Sequence, residues 1–381
     1  MRYGIILTLF IASLLPAVAR SNTDRSIDPI RIGLIAYTKD EHQRRVGTPA
    51  LNAAHMAVED VNRAGGIRLG DKQYPVELVV EGIASSPQNA IAAMRRLTNL
   101  EQVTAVIGAN YSVDAIPAGH FAEKARTPFI SPMSTNPRTT EGRNYVFRMS
   151  FLDEKQGQVM ADFAFERLGS RRAALLYNRP DPYSHDIAAV FIGSYVGSGG
   201  KVVVKEGYVD LDHDLEPSLD LIEKAAPDVI YLPNFSNEAL RQVRAIRKRG
   251  IDVPLLGADG WSPGEFSTYP EFDNTYMTVH WFAGADRFST RYMERYGVEP
   301  EAVSALTFDA FNLLFQAIGR SGRLDRETIR QQLIDMPSFD GVSGDVDFID
   351  SGDPDKMVKI LGILDGKVQS LGHSNGGGVA P

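Results

Sequence analysis

The sequence predicts an α/β protein built as two similar lobes, each a doubly wound parallel sheet with helices on both faces. Two observations predict it. From residue 30 onward, short apolar runs of strand length alternate with longer stretches whose apolar residues recur at helical spacing. The alternation passes through one series and starts again near Ser150 with strand, helix and strand recurring. No short tandem repeat is visible, which argues against a solenoid.

The first strand is expected at 30–36. Thr48 then caps a helix with Pro49 in its first turn, Leu51, Ala54, Val58 and Val61 forming its buried stripe, and Gly65-Gly66 ends it. A second strand follows at 75–81, and Ser86-Pro87 opens a helix carrying Ala90, Ala93, Met94 and Leu97. The second series reads as helix 154–168, strand 173–177, a helix running to Tyr195, strand 201–209, helix 215–224, strand 228–232, helix 237–249 and strand 253–256. After Gly257 come helices at 287–296, 301–319 and 326–335, a late strand or hairpin at 342–349, and a strand at 359–363. The glycine-rich tail 372–381 lacks periodicity and is expected to be disordered.

One stretch of the first series stands out for function. Residues 103–107 form a buried-type strand ended by Gly108, and Ser112 sits where an N-cap belongs, ahead of Ala115, Ala118, Ala122 and Ala125. A strand at 128–131 leads into the polar loop Pro132-Met133-Ser134-Thr135. In a parallel sheet both loops lie at the carboxyl edge, where open α/β sheets bind ligands. Their hydroxyls and backbone N–H groups make a seat for a small anion such as a carboxylate. The same residues, Ser112 and Thr135, would serve equally to cap and turn the chain.

The N-terminus sets the compartment. Arg2, the apolar run 5–15 and Ala17-Val18-Ala19 have the layout of a secretory signal peptide spanning residues 1–19. Cleavage after Ala19 removes Arg2 and takes the formal charge from −8 to about −9. A net-acidic surface argues against nucleic acid and anionic membrane as partners. The chain has no cysteine, so it uses no disulfide and no lipid-bearing cysteine, and its stability rests on an ordinary core. A soluble periplasmic protein is expected, and no later segment is apolar for long enough to cross a bilayer.

Several segments, in their order and spacing, resemble the periplasmic solute-binding proteins of the leucine/isoleucine/valine-binding kind, which serve ABC transporters. They are IRIGLIAYT, LNAAHMAVEDVNRAGGI, VTAVIGANYS, TPFISPMST, YVFRMSFLDEKQGQVMADFAFERLG, AALLYNRPDPY and PDVIYLPNFSNEALRQVRAIRKRGIDVPLLGADGW. The resemblance covers nearly the whole mature chain. It implies two lobes joined by a three-strand hinge with the ligand in the cleft, 28–148 plus 282–337 forming one lobe and 149–281 plus 338–371 the other. It also implies site roles. Ser112 matches the residue that holds a ligand carboxylate, Met133 lies where a main-chain carbonyl helps hold the ammonium, and Thr135 matches a hydroxyl on ligand polar groups. Tyr183 falls where a tyrosine closes over the ligand, Phe235 where an aromatic ring is common, and Asp259 where an acidic residue pairs with the ammonium. Tyr111 replaces a cysteine found in some members. Tyr37 and Trp261 are expected to shape the side-chain pocket, and Arg44 or Arg45 would favour an acidic ligand.

The chemistry suits a zwitterion, whose two charges need N–H donors at one end and a carboxylate at the other when the lobes desolvate them. The expected protein is therefore a monomeric, non-enzymatic receptor that delivers an amino acid to an ABC permease. A receptor for a small amide, urea or aromatic acid is the nearest alternative, and sensing for a signalling partner is another. Gly260-Trp261-Ser262-Pro263-Gly264 has the spacing of a serine-hydrolase nucleophile elbow, but Pro263 removes an N–H that an oxyanion hole needs. The seven histidines are scattered, and Asp210, Asp212 and Asp214 lack the glycine and glutamate of a calcium loop, so no metal is expected. No phosphate-binding glycine motif supports a nucleotide cofactor. Arg244, Arg247, Lys248 and Arg249 read as cations closing a helix C-terminus. Tyr292 and Tyr296 are either a surface for the transporter or a packed helix face.

Overall fold

The computed structural model describes residues 28–39, 44–210, 212–348 and 352–374, with Arg44 placed by its backbone alone. The expected signal peptide lies outside the described residues. The first sheet uses β1 (Ile30–Tyr37), β4 (Val76–Ile83), β5 (Ala105–Gly108), β6 (Phe129–Ser131) and β7 (Val146–Arg148). Between them lie helices α1 (Arg44–Arg63), α2 (Pro87–Arg95) and α3 (Ser112–Lys124), and a small hairpin of β2 (Ile67–Leu69) and β3 (Lys72–Tyr74). The second half runs α4 (Asp153–Asp162), β8 (Arg172–Asn178), α5 (Pro182–Gly197), β9 (Lys201–Tyr208), α6 (Glu216–Ala225), β10 (Val229–Tyr231), α7 (Ser236–Lys248), β11 (Leu255–Gly257), the short α8 (Pro263–Phe266) and β12 (Thr275–Val279). Helices α9 (Arg287–Tyr296), α10 (Ala302–Ser321) and α11 (Arg326–Ile334) precede the antiparallel pair β13 (Val358–Leu364) and β14 (Lys367–Ser374).

The sheet orders are β4-β1-β5-β6-β7 and β14-β13-β12-β11-β10-β8-β9. The first is parallel throughout, and the second is parallel from β12 to β9. In each, the first strand has its successor on one flank and the third strand on the other. The order therefore reverses between β1 and β5, and again between β8 and β10. At such reversals the connecting helices leave to opposite faces and open a crevice at the carboxyl ends of the strands.

Successive strand residues point to opposite faces, and the core follows that rule. Ile32, Leu34, Ala36, Ala105, Ile107 and Ile130 pack against α1, α9, α10 and α11, whereas Ile35, Tyr37, Val106 and Phe129 pack against α2 and α3. In the second sheet Ala173, Leu175, Val229 and Tyr231 meet α4 and α5, and Ala174, Leu176, Ile230 and Leu232 meet α6 and α7. Although α9–α11 follow β12 in the chain, they pack on the first sheet. The chain therefore passes between the lobes three times, after β7, after β12 and before β13.

Several expectations shift. Helix α1 starts at Arg44 rather than after Thr48, with Pro49 inside it. Strands β7 and β12 and the β2–β3 hairpin are additions to the sequence reading. The stretch expected as a strand at 342–349 forms only isolated bridges, Phe339 with Val346 and Phe348 with Pro354. The tail expected to be disordered from Gly372 begins instead inside β14, where Gly372, His373 and Ser374 pair with Ile360, Lys359 and Val358. Tyr292 and Tyr296 belong to a core face, their hydroxyls donating to Pro49 O at 3.4 Å and Asn52 O at 2.8 Å.

Candidate functional site

The carboxyl edges of the two sheets face one another across a cavity of about 370 Å³. From the first lobe come the turn after β5, with Asn110, Tyr111 and Ser112, and the loop after β6, with Met133 and Thr135. From the second come Tyr183 at the start of α5, Phe235 and Ser236 after β10, Asp259–Ser262 after β11, and His280 and Trp281 after β12.

The turn after β5 is built to bend sharply. Gly108 has φ +123°, and a Cβ there would lie 2.3 Å from the carbonyl oxygen of Ile35. Ala109 follows at φ +51°, a left-handed conformation that is strained for a non-glycine residue. The bend aims the amino end of α3 at the cavity. Ser112 is the first helical residue and Tyr111 occupies the N-cap position, so the expected Ser112 cap is not formed. Its hydroxyl instead meets the Ser134 hydroxyl at 3.0 Å, tying the two first-lobe loops together. The Asp114 and Ala115 N–H groups bond the Tyr111 carbonyl at 3.0 and 2.8 Å, and Ser112, at the amino end of α3, lines the cavity.

The loop after β6 is held from below. Fully buried Arg148 donates to Ser134 O at 2.8 Å, Asn136 O at 3.0 Å, Thr140 Oγ1 at 2.6 Å and Asp353 Oδ1 at 2.6 Å. Ser150 Oγ adds a bond to Ser134 O at 2.7 Å. Thr135 is buried, its carbonyl accepts from Asp153 N at 2.9 Å, and its side chain bonds the Asp153 carboxyl. Burial pushes the Asp153 carboxyl well above the usual range, the Thr135 bond opposing it and the nearby Asp259 adding to it.

On the facing lobe, Asp181 caps α5 by accepting from the N–H groups of Tyr183 and Ser184. This places the Tyr183 hydroxyl 2.8 Å from Asp259 Oδ1, to which it donates, while it accepts from Gly260 N at 3.0 Å. The Tyr183 ring stacks on Phe235 at 5.0 Å, and Phe235 meets Tyr111 of the other lobe edge-on at 4.9 Å. The second Asp259 oxygen lies 3.0 Å from His280 Nε2. His280 is buried and lies 3.7 Å, centroid to centroid, from the Phe151 ring. Burial lowers its pKa below 6.5, outweighing the upward pull of Asp259. Burial thus favours the neutral imidazole, whose Nε2 faces the Asp259 carboxyl. Among the described residues no lysine or arginine forms an ion pair with Asp259.

The cavity brings together seven of the eight site residues expected from the sequence, with Tyr37 the exception. Tyr37 is fully buried behind the site, donating to Asp114 Oδ2 at 3.0 Å and accepting from Tyr111 N at 3.1 Å, so it supports the β5 turn without lining the cleft. Trp261 lines the cavity with its indole N–H on Asn234 Oδ1 at 3.1 Å. Arg45 pairs with Glu265 at 2.8 Å and is thereby engaged across the mouth of the cleft. Ser262 meets Ser236 Oγ at 3.2 Å, and His280 is committed to Asp259, so the elbow-like motif lacks the geometry of a nucleophile with its base. Asn110, His280 and Trp281 are site residues the sequence reading missed. His280 and Trp281 follow β12, a strand it did not assign, while Asn110 lay within the turn it singled out.

The acidic loop at 210–214 and the basic end of α7 make bonds within the protein. Asp210 and Asp214 accept from the backbone N–H groups of Asp212 and Glu216. Arg247 caps the loop after α7 through the carbonyls of Ile251 and Val253, and Arg249 pairs with Glu216, Asp220 and Glu223.

Two parallel-sheet lobes with a ligand-sized cleft at their facing carboxyl edges define a two-lobed receptor of the type that closes over a small molecule. Residues 29–358 match the periplasmic binding protein family, and the chain belongs to it. An amino acid binding protein of Pseudomonas aeruginosa is 29% identical over 280 residues, covering 71% of this chain and 74% of that protein. The crystal structure of a leucine binding protein from Thermotoga maritima superposes with a TM-score of 0.83 at 28% identity, covering 90% of this chain and 98% of the other. A branched-chain amino acid transporter substrate binding protein from Streptococcus pneumoniae, in complex with isoleucine, gives 0.82 at 27% identity with the same coverage.

Proposed function

We propose that this chain is an extracytoplasmic receptor that captures an α-amino acid by closing its lobes and delivers it to an ABC permease. It would be exported behind a leader cleaved after Ala19 and act as a binding protein without catalysis of its own. Its lobes would move as units near residues 28–148 with 282–348 and 149–281 with 358–374. The expected change of lobe at 338 shifts because Phe339 and Val346 pack in the first-lobe core and Asp309 of α10 accepts from Val342 N and Ser343 N. The observation that carries this reading is the state of Asp259. Its carboxylate faces the cleft, is oriented by Tyr183 and His280, and has no lysine or arginine partner among the described residues. A carboxylate so enclosed calls for a cation from the ligand. The amino end of α3 and Ser112, in the opposite lobe, suit the ligand's carboxylate. The relatives that bind leucine or isoleucine carry ligands with this same pair of charges.

Protein unfolded and refolded to remove carried-over ligand is titrated calorimetrically with the twenty amino acids, short amides and aromatic acids. One class of α-amino acids binds, and at a hundredfold excess over Kd it raises stability by about 2.7 kcal/mol. Asp259→Asn keeps the shape but removes the charge, and lowers affinity by about 2–5 kcal/mol, roughly thirtyfold or more. Undiminished binding in this variant, or binding of uncharged amides and acids alone, overturns the zwitterion reading.

A further inference from the structure

We infer that the ligand's side chain carries a group that both donates and accepts a hydrogen bond, a carboxamide or a hydroxyl, and that Asn110 reads it. This rests on the amino-acid reading above and narrows it. Asn110 lines the cleft and is 4% exposed, and neither Oδ1 nor Nδ2 has a protein hydrogen-bond partner among the described residues. Its neighbours on the cavity wall are different: Ser112, Thr135, Tyr183 and Asp259 are each bonded within the protein. The contrast with Asn234 is direct. That amide, equally buried, donates to Gln242 Oε1 at 2.7 Å and accepts from the Trp261 indole.

The position is held deliberately. The two left-handed residues Gly108 and Ala109 fix the backbone that presents Asn110, and Tyr111 N is anchored on the Tyr37 hydroxyl. A buried amide makes two kinds of demand, N–H donors to be accepted and a carbonyl oxygen to be filled. A carboxylate accepts only, and would leave Oδ1 bare. An ammonium donates only, and would leave Nδ2 bare. An aliphatic side chain answers neither. A carboxamide or hydroxyl answers both, and a site built for such a group rejects the isostere that lacks it far more strongly than an apolar slot separates sizes.

Isosteric pairs test this on the refolded, ligand-free protein: asparagine against leucine, threonine against valine, and glutamine against homoleucine, by isothermal titration calorimetry. The expected result is at least a tenfold preference for the polar member of one pair in the wild type. Asn110→Leu, with its fold checked by circular dichroism and melting, brings that ratio to twofold or less or reverses it. Equal or tighter binding of the apolar member in every pair overturns the inference while leaving the amino-acid receptor intact. So does a uniform loss across all six ligands in Asn110→Leu, which would place Asn110 on the shared zwitterion. If no amino acid binds at all, the receptor reading fails and this inference falls with it. The wild-type comparison alone decides if the variant does not fold.

Discussion

At the scale of single residues, the site turns on how one buried histidine is kept uncharged. His280 faces Asp259 through Nε2, lies against the Phe151 ring, and feels Lys356 from the third passage between the lobes. Burial dominates and holds its pKa below the ordinary 6.5, with Lys356 acting in the same direction and Asp259 against both. Were His280 charged, it would neutralise Asp259 and compete with a ligand ammonium for it. The sign for stability follows from linkage. Above pH 6.5 the imidazole is neutral in both folded and unfolded chains, so it costs nothing. As pH falls below 6.5 the unfolded chain takes up the proton first, and stability is lost until the folded pKa is reached. Asp153 runs oppositely, since its raised pKa gives stability below the usual carboxylate range that fades as pH rises. Comparing the wild type with His280→Asn cancels that contribution. In the ligand-free protein, the melting temperature of wild type minus variant should fall as pH goes from 7.5 to 5. A difference that stays constant over that range would show that His280 is not held neutral by the fold.

At the scale of elements, the loop after β6 owes its shape to a side chain on β7. Arg148 spends its guanidinium on two carbonyls of that loop, on Thr140 and on Asp353 from the third passage, and so joins a ligand loop to the hinge region. Arg148→Met keeps much of the volume but leaves Asp353 and two buried carbonyls short of a donor. Breaking one side of such a pair costs about 3 kcal/mol. Urea unfolding should show that loss as a lower midpoint, together with weaker ligand binding because Thr135 loses its support. An unchanged midpoint would mean that Ser150 and Thr140 hold the loop unaided. Much of this level was legible in the sequence. Apart from β7 and β12, the buried strands of both sheets fall where apolar runs put them, as does helix α9 where helical spacing puts it, and Ser86 caps α2 as its Ser-Pro signature implies. What was not legible has physical reasons. Pro49 marks a first turn by its missing N–H, yet α1 extends a turn and more before it, since a proline near a helix start forfeits only one bond. Strand β7 has three residues, too few for a period to show, and β14 pairs through a mostly polar sequence that reads as a tail. Tyr37 was placed in the pocket as part of the loop after the first strand, but it is the last residue of β1 and its side chain turns to Asp114 under α3.

At the scale of the whole molecule, the lobes are drawn together over the cavity, by the Tyr111–Phe235 ring contact on its wall and by polar contacts at its edges. Asn136 of the first lobe donates to Asp186 Oδ2 at 2.8 Å and to Pro182 O at 3.1 Å on α5, and Arg138 reaches the same Asp186 oxygen at 3.1 Å. On the other side Arg45 meets Glu265 at 2.8 Å. These charges are partly exposed, so each ion pair contributes only about 0.2–1 kcal/mol. That scale is what a receptor needs. Contacts much stronger would hold the empty protein shut, whereas weak ones tip the balance only once a ligand bridges Asp259 and the amino end of α3. If closure is what forms them, their loss should fall on binding and not on the ligand-free fold. Asp186→Ala is expected to raise Kd about fivefold, corresponding to about 1 kcal/mol, chiefly through faster dissociation. The wild type should lose affinity between 0.01 and 1 M salt, as screening over about 30 Å shortens to about 3 Å, and the double variant Asp186→Ala, Glu265→Ala should lose much less. The melting temperature without ligand should stay within about one degree of wild type. If Asp186→Ala instead lowers stability equally with and without ligand, the contact exists in both states and the lobes do not separate along this edge.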